Sequence, residues 1–162
     1  LSALRSGSRV QATLWSGVHQ VIKTEGFVRD EKSILKVLTG FFGGATAFPI
    51  HVLRETYLNK KIKKHAKKRK VHILIVSDDG VTTMFDQDEK GNDGKEISRM
   101  SLENAGAGGT MVLNLWQKWN EVSLLIEAHD MGWEIFPISK WDDLIDFSRE
   151  FARKHYSQEL SK

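Results

Sequence analysis

The sequence predicts a three-layer α/β fold, a mostly parallel sheet with helices on both faces, and three observations predict it. Short apolar runs alternate with amphipathic stretches of about ten to eighteen residues, the pattern of successive βαβ units. The run His72 to Val76 is continuously apolar and ends in Ser77-Asp78-Asp79-Gly80, as a buried parallel strand does when it delivers polar residues at its carboxyl end. A glycine-rich turn, Phe41 to Pro49, ends where proline can open the next helix.

Taken in order, Arg9 to Trp15 sets Val10, Ala12 and Leu14 against polar neighbours, the period-two signal of a half-buried strand, and Gly7-Ser8 precedes it as a turn. A weaker extended piece covers His19 to Ile22. Asp30 is placed to cap a helix whose Ile34, Leu35 and Leu38 recur at helical spacing. After the glycine-rich turn, Ile50, Leu53, Tyr57 and Ile62 mark one apolar helical face. The strand through His72 to Val76 follows, then an acidic loop from Asp86 to Gly94 and a helix over Glu96 to Ala105 that Gly106, Gly108 and Gly109 stop. Thr110 to Leu115 reads as a strand, Trp119 to Asp130 as a helix and Trp133 to Ile138 as a buried strand. In the closing helix Trp141, Leu144, Ile145, Phe147, Phe151 and Tyr156 lie on or near one face, with Asp142 and Asp143 in the first turn, where the helix dipole favours them.

Composition narrows the function classes. The chain has 162 residues, 40% hydrophobic and 28% charged, which fits one soluble domain over residues 1–162 with a single core. With no cysteine, neither disulfides nor thiolate metal sites contribute, as expected of a cytoplasmic protein. No apolar stretch approaches the roughly 20 residues that span a bilayer, and no targeting leader opens the sequence. Leu1 leads at once into Ala3, Leu4 and Arg5, which reads like a helix already in progress and gives the expectation of an excised fragment.

The motifs that carry chemistry are two loops expected at one sheet edge, where open parallel sheets bind ligands: Gly43-Gly44-Ala45-Thr46 and Ser77-Asp78-Asp79-Gly80. Taken singly, such loops are also common punctuation in α/β proteins. Together with Gly7-Ser8-Arg9-Val10, the strand through Trp15-Ser16, Gly43 to Pro49 and Ile75 to Gly80, their succession resembles a von Willebrand factor A domain from its second strand onward. Within that family it is similar to the CoxE-like subgroup encoded beside MoxR-type AAA+ ATPases.

The resemblance implies a Rossmann-like fold and a metal-ion-dependent adhesion site. Thr46 would be its hydroxyl ligand and Asp78 its carboxylate. Asp79 is the alternative, because the usual Thr-Asp-Gly reads Ser-Asp-Asp-Gly here. Gly43, Gly44, Ser77 and Gly80 would shape the binding loops. Hard oxygen donors of this kind suit magnesium. The third loop of such a site, D-x-S-x-S after the first strand, does not occur; the nearest imitation, Asp78-Asp79-Gly80-Val81-Thr82, has glycine at the middle ligand position. The expectation is therefore a domain cut before its first strand, with an incomplete site and magnesium in the intact protein. By the same resemblance it is a protein-binding module, not an enzyme, with a MoxR-type ATPase and its client as partners.

Two alternatives stand beside this reading. One is a magnesium-dependent hydrolase or phosphotransferase of another α/β family using Asp78 or Asp79, for which no base or nucleophile is recognisable. The other is nucleic-acid binding by the run Lys60 to Lys70, with Lys63, Lys64, Lys67 and Lys68 at its centre, since counterion release rewards clustered charge. That run lacks interleaved aromatics to stack on bases, and a cationic helical end also serves solubility. Asp86-Gln87-Asp88-Glu89-Lys90-Gly91 begins like a calcium loop but has lysine at the fifth position and Ile97 at the twelfth, so it reads as a solvated loop. Gly106-Ala107-Gly108-Gly109 precedes a strand and reads as a helix-to-strand connection, not a phosphate loop. The six histidines are scattered, with His129 and His155 expected at the surface or at helix ends.

Overall fold

The computed structural model describes residues 2–40, 47–59, 70–77, 81–114 and 122–156. The chain is mixed α/β and divides into two compact units, Leu1–Ala45 with Lys140–Lys162, and Thr46–Ser139.

In the first unit, helix α1 (Ser2–Arg5) is followed by strands β1 (Thr13–Gly17) and β2 (Gln20–Lys23), which pair antiparallel with each other. The strand expected from Arg9 starts at Thr13; Val10 instead makes an isolated antiparallel bridge to Val28. The loop after β2 is held from inside by Thr24, whose buried hydroxyl accepts the Ala12 amide at 3.2 Å and donates to the Gly26 carbonyl at 2.9 Å. Helix α2 (Glu31–Leu38) begins where Asp30 caps it, the carboxylate accepting the amides of Lys32 and Ser33. Its buried side chains are Ile34 and Val37, which join Ala12 in the core with Leu4, Val10, Leu14 and Val28 around them. The predicted face was one step off: Leu35 and Leu38 point outward, 48% and 55% exposed. Ile34-Val37 and Ile34-Leu35-Leu38 are overlapping stripes on one helix, and packing against Ala12 selects the first.

Helix α6 (Trp141–Tyr156), also of this unit, packs against α1. Phe147 is its buried residue, and Phe151 follows one turn later with ring centroids 5.3 Å apart. Trp141 and Ile145, expected on the same face, are 81% and 48% exposed. His155, in the last turn of α6, packs on Phe151 with ring centroids 4.4 Å apart, and His129 of the second unit is exposed; both stand where the sequence predicts.

Hydrogen bonds from the Ser33 hydroxyl and amide hold the Asp30 carboxyl below the usual carboxylate range. A carboxyl lowered on folding contributes stability above its unfolded value, and that contribution is lost as the pH falls through the lower folded one. Asp30→Ala is therefore expected to lower the melting temperature at neutral pH, with wild type and variant converging in acid. Thermal melts by circular dichroism across the acid limb check this.

The second unit is built on a parallel sheet of β3 (Val71–Ser77), β4 (Gly106–Asn114) and β5 (Trp133–Ile138), hydrogen-bonded in that order. Helix α3 (Ile50–Tyr57) precedes it, α4 (Gly94–Ala105) links β3 to β4, and α5 (Val122–Asp130) links β4 to β5. Pro49 stands at the N-cap of α3, one residue before the position expected of it. Consecutive Met111, Val112 and Leu113 are 1%, 0% and 1% exposed, so the central strand is covered on both faces. On β3 only alternate residues are covered: Ile73 and Ile75 are buried, Leu74 and Val76 are 44% and 47% exposed. No helix among the described residues is long and apolar enough to cross a membrane.

Helix α4 seals one sheet face with Ile97, Ser98, Ser101, Leu102 and Ala105, a stripe at helical spacing. Gly106 ends it in the left-handed conformation, φ 77°, its N–H returning to the Leu102 carbonyl. The strand expected from Thr110 starts four residues earlier in sequence, at Gly106, so the glycines read as a connection are part of β4. The physical reason is on the neighbouring strand. A Cβ on Gly109 would sit within 3.0 Å of the Trp133 ring and Leu102, so only glycine lets the fully buried indole lie across β4. The indole N–H donates to Ser98 at 2.9 Å.

Candidate functional site

The carboxyl ends of β3, β4 and β5 form one edge, with Ser77 opposite Leu113 and Asn114 opposite Ile138. Ser77 is the last residue of β3 and is half-buried. Of the site residues the sequence singles out, Thr46, Asp78, Asp79, Gly43, Gly44 and Gly80 lie outside the described residues, as does the basic run with Lys63, Lys64, Lys67 and Lys68.

The segments flanking the two loops are described, and they meet. After the glycine-rich loop, the Phe48 amide donates to the Thr83 hydroxyl at 2.8 Å. Thr83 belongs to a 3₁₀ turn, Thr82–Phe85, that directly follows the Ser77–Gly80 loop. Both sides of this junction are buried: Phe48 is 6% exposed, Val81 1%, Met84 0% and Phe85 8%. Apolar side chains thus anchor both loop exits, and a side-chain hydroxyl satisfies a main-chain amide that would otherwise be stranded among them.

The acidic loop beyond is exposed, as the sequence predicts, except at Asp88. Asp88 accepts the amides of Lys90 and Asn92 and the Asn92 side chain, all at 2.9 Å, and pairs with Arg54 of α3. Its side chain is 5% exposed. Burial pushes the carboxyl up, and the bonds from Asn92 and Lys90 with the guanidinium beside it outweigh that, holding it below the usual carboxylate range. Each of these partners is a hydrogen-bond donor of the chain itself, and together they fold the loop onto α3. Among the described residues no three His, Asp or Glu side chains cluster as metal ligands.

Sequence reasoning missed Asp88 with Arg54, and also a row of polar side chains across the strands, His72, Thr110 and Glu134. The Asx-type spacing Asp88-x-Lys90-x-Asn92 was a legible signal for the first. The second depends on strand register and had none. No protein-family model, no curated protein and no solved structure matches this chain.

Proposed function

We infer that this chain is a protein-binding module, not an enzyme, of the von Willebrand factor A kind, whose ligand-contacting region is the carboxyl edge of the parallel sheet. The observation that carries the reading is the Phe48–Thr83 hydrogen bond, because it ties the exit of the Gly43–Thr46 loop to the exit of the Ser77–Gly80 loop. The fold takes its place in the same reading: a Rossmann-like three-layer sandwich with helices on both faces. The two-sided burial of Met111, Val112 and Leu113 supports it. Parallel sheets of this type bind ligands beyond the carboxyl ends of their strands.

The donor set of the loops is a hydroxyl, Thr46, and carboxylates, Asp78 or Asp79. These are hard oxygens that fit magnesium, which keeps several waters and accepts few protein ligands. When bound, the ion supplies a positive charge to which an acidic side chain of a partner can coordinate. Recognition then comes from the surface around that point, and specificity from its shape. A MoxR-type AAA+ ATPase and its client are the partner class, in the cytoplasm.

The test is calorimetric titration of magnesium and manganese into this chain and into one extended upstream, each beside Asp78→Ala. Binding by the extended chain alone, lost in Asp78→Ala, is the expected result. Absence of binding in both chains would reduce Thr46 and Asp78 to turn residues and remove the metal from the reading.

A further inference from the structure

The segment that follows the 3₁₀ turn Thr82–Phe85 is folded back on itself. Gln87 and Asp93 form an isolated antiparallel bridge, the Asp88 amide donates to the Asn92 carbonyl at 2.9 Å, and the Gly91 amide returns to the Asp88 carbonyl at 2.8 Å. At its foot the Gly94 amide donates to the Asp86 carbonyl at 3.0 Å, and at its centre the Asp88 carboxylate gathers the Lys90 and Asn92 amides and the Asn92 side chain. Closures this dense make residues 86–94 one cooperative piece. The 3₁₀ turn is joined to that piece directly, since the Asp86 amide donates to the Thr83 carbonyl at 3.3 Å.

This piece meets α3 and its entry at two points. Before the helix, the Phe48 amide donates to the Thr83 hydroxyl; in its last turn, Arg54 pairs with the Asp88 carboxylate. Phe48 and Arg54 are held at a fixed separation by Pro49, whose ring restricts the backbone, and by the helix itself. Two contacts between the same two stiff pieces are not independent of each other.

Burial says which contact controls the other. The Asp88 side chain is 5% exposed and that of Arg54 23%. Without the guanidinium, the carboxylate keeps its charge in a place almost closed to water, and it regains water when the piece lifts from α3. Lifting carries Thr83 with it. We propose that the Arg54–Asp88 pair is a strap that positions Thr83, so that the bond from Phe48 to Thr83 is made and broken together with it. On the reading that the loops ending at these two exits bind a partner, which is the one part that rests on the proposed function, Arg54 is thereby a positioning residue for the sheet edge.

The experiment is amide hydrogen exchange by NMR on the full chain, following Phe48 against Met111 and Val112, buried on the central strand, whose exchange reports opening of the unit as a whole. Thr83→Val removes the acceptor and should speed exchange at Phe48. Arg54→Gln, far from that amide in sequence, is expected to speed it by roughly tenfold relative to the β4 amides. Arg54→Lys, which returns a cation on a flexible stem, should recover part of the protection. Added to Thr83→Val, Arg54→Gln should change Phe48 little further. A Phe48 rate that Arg54→Gln alters only in proportion to Met111 and Val112 overturns the strap, because the pair then adds to global stability alone. A full Arg54→Gln effect on top of Thr83→Val, or indifference of Phe48 to Thr83→Val, does so as well. Should Arg54→Gln fail to fold, Asp88→Asn read on the same amides decides. No magnesium enters these measurements, so they stand or fall apart from metal binding at the edge.

Discussion

A Trp133→Ala variant is expected to lose about 3–5 kcal/mol of stability, the range for emptying the site of a large buried aromatic. The residue is 1% exposed and is the largest side chain in the interior of its unit. Its ring covers Gly109 on β4 and its N–H is bonded to Ser98 on α4, so one side chain fastens three elements. Truncation leaves a cavity that the backbone of β4 cannot fill and strands the Ser98 hydroxyl, which is 0% exposed. Trp133→Phe separates the two effects: it keeps most of the ring and removes the hydrogen bond, and should cost about 1–3 kcal/mol. Urea denaturation followed by circular dichroism measures both. A loss below about 1 kcal/mol in Trp133→Ala would mean that the indole is not packed as described.

Gly94→Ala is expected to be nearly as damaging, by about 3 kcal/mol, for a reason that has nothing to do with conformational freedom. A Cβ at Gly94 would come within 3.0 Å of the carbonyl oxygens of Met84 and Asp86 and of the Phe85 carbonyl carbon. These are main-chain atoms, so no rotamer change relieves the overlap. Gly94 also donates its N–H to the Asp86 carbonyl at 3.0 Å, closing the acidic loop on the first turn of α4. The substitution therefore distorts the 3₁₀ turn that follows the Ser77–Gly80 loop. Differential scanning calorimetry would show it as a fall in melting temperature. Ala at an exposed position of the same helix, such as Glu103→Ala, serves as the control and should change little. Equal melting temperatures for Gly94→Ala and that control would contradict the close approach.

The sequence announces most elements and misplaces several faces, and the physical divide between the two is range. Asp30 capping α2, the apolar run of β3 and the strand from Trp133 to Ile138 are legible because capping and hydrophobic period are local. Whether α2 buries Leu35 or Val37 is decided by Ala12, a residue distant along the chain, and periodicity offers both. Gly109 is misread for the same reason: its requirement is a tryptophan on another strand, so a local rule treats it as punctuation. Of the candidate site, the loops are legible as motifs, whereas the hydroxyl of Thr83 that joins their exits carries no motif at all. The row of His72, Thr110 and Glu134 emerges only once the register of three parallel strands is known.

The discontinuity of the first unit has a consequence for the order in which the protein takes shape. Its helix α6 is separated from α1, against which it packs, by the whole of Thr46–Ser139. During synthesis the hairpin and α2 emerge early and must wait, with Ile34 and Val37 already gathered on Ala12 but α1 still lacking α6. The strands of the parallel sheet, by contrast, all lie within the one stretch Thr46–Ser139. A pause or cleavage after β5 would release a chain without α6, and the surface of α1 that α6 covers, left bare, is what a chaperone or protease would meet.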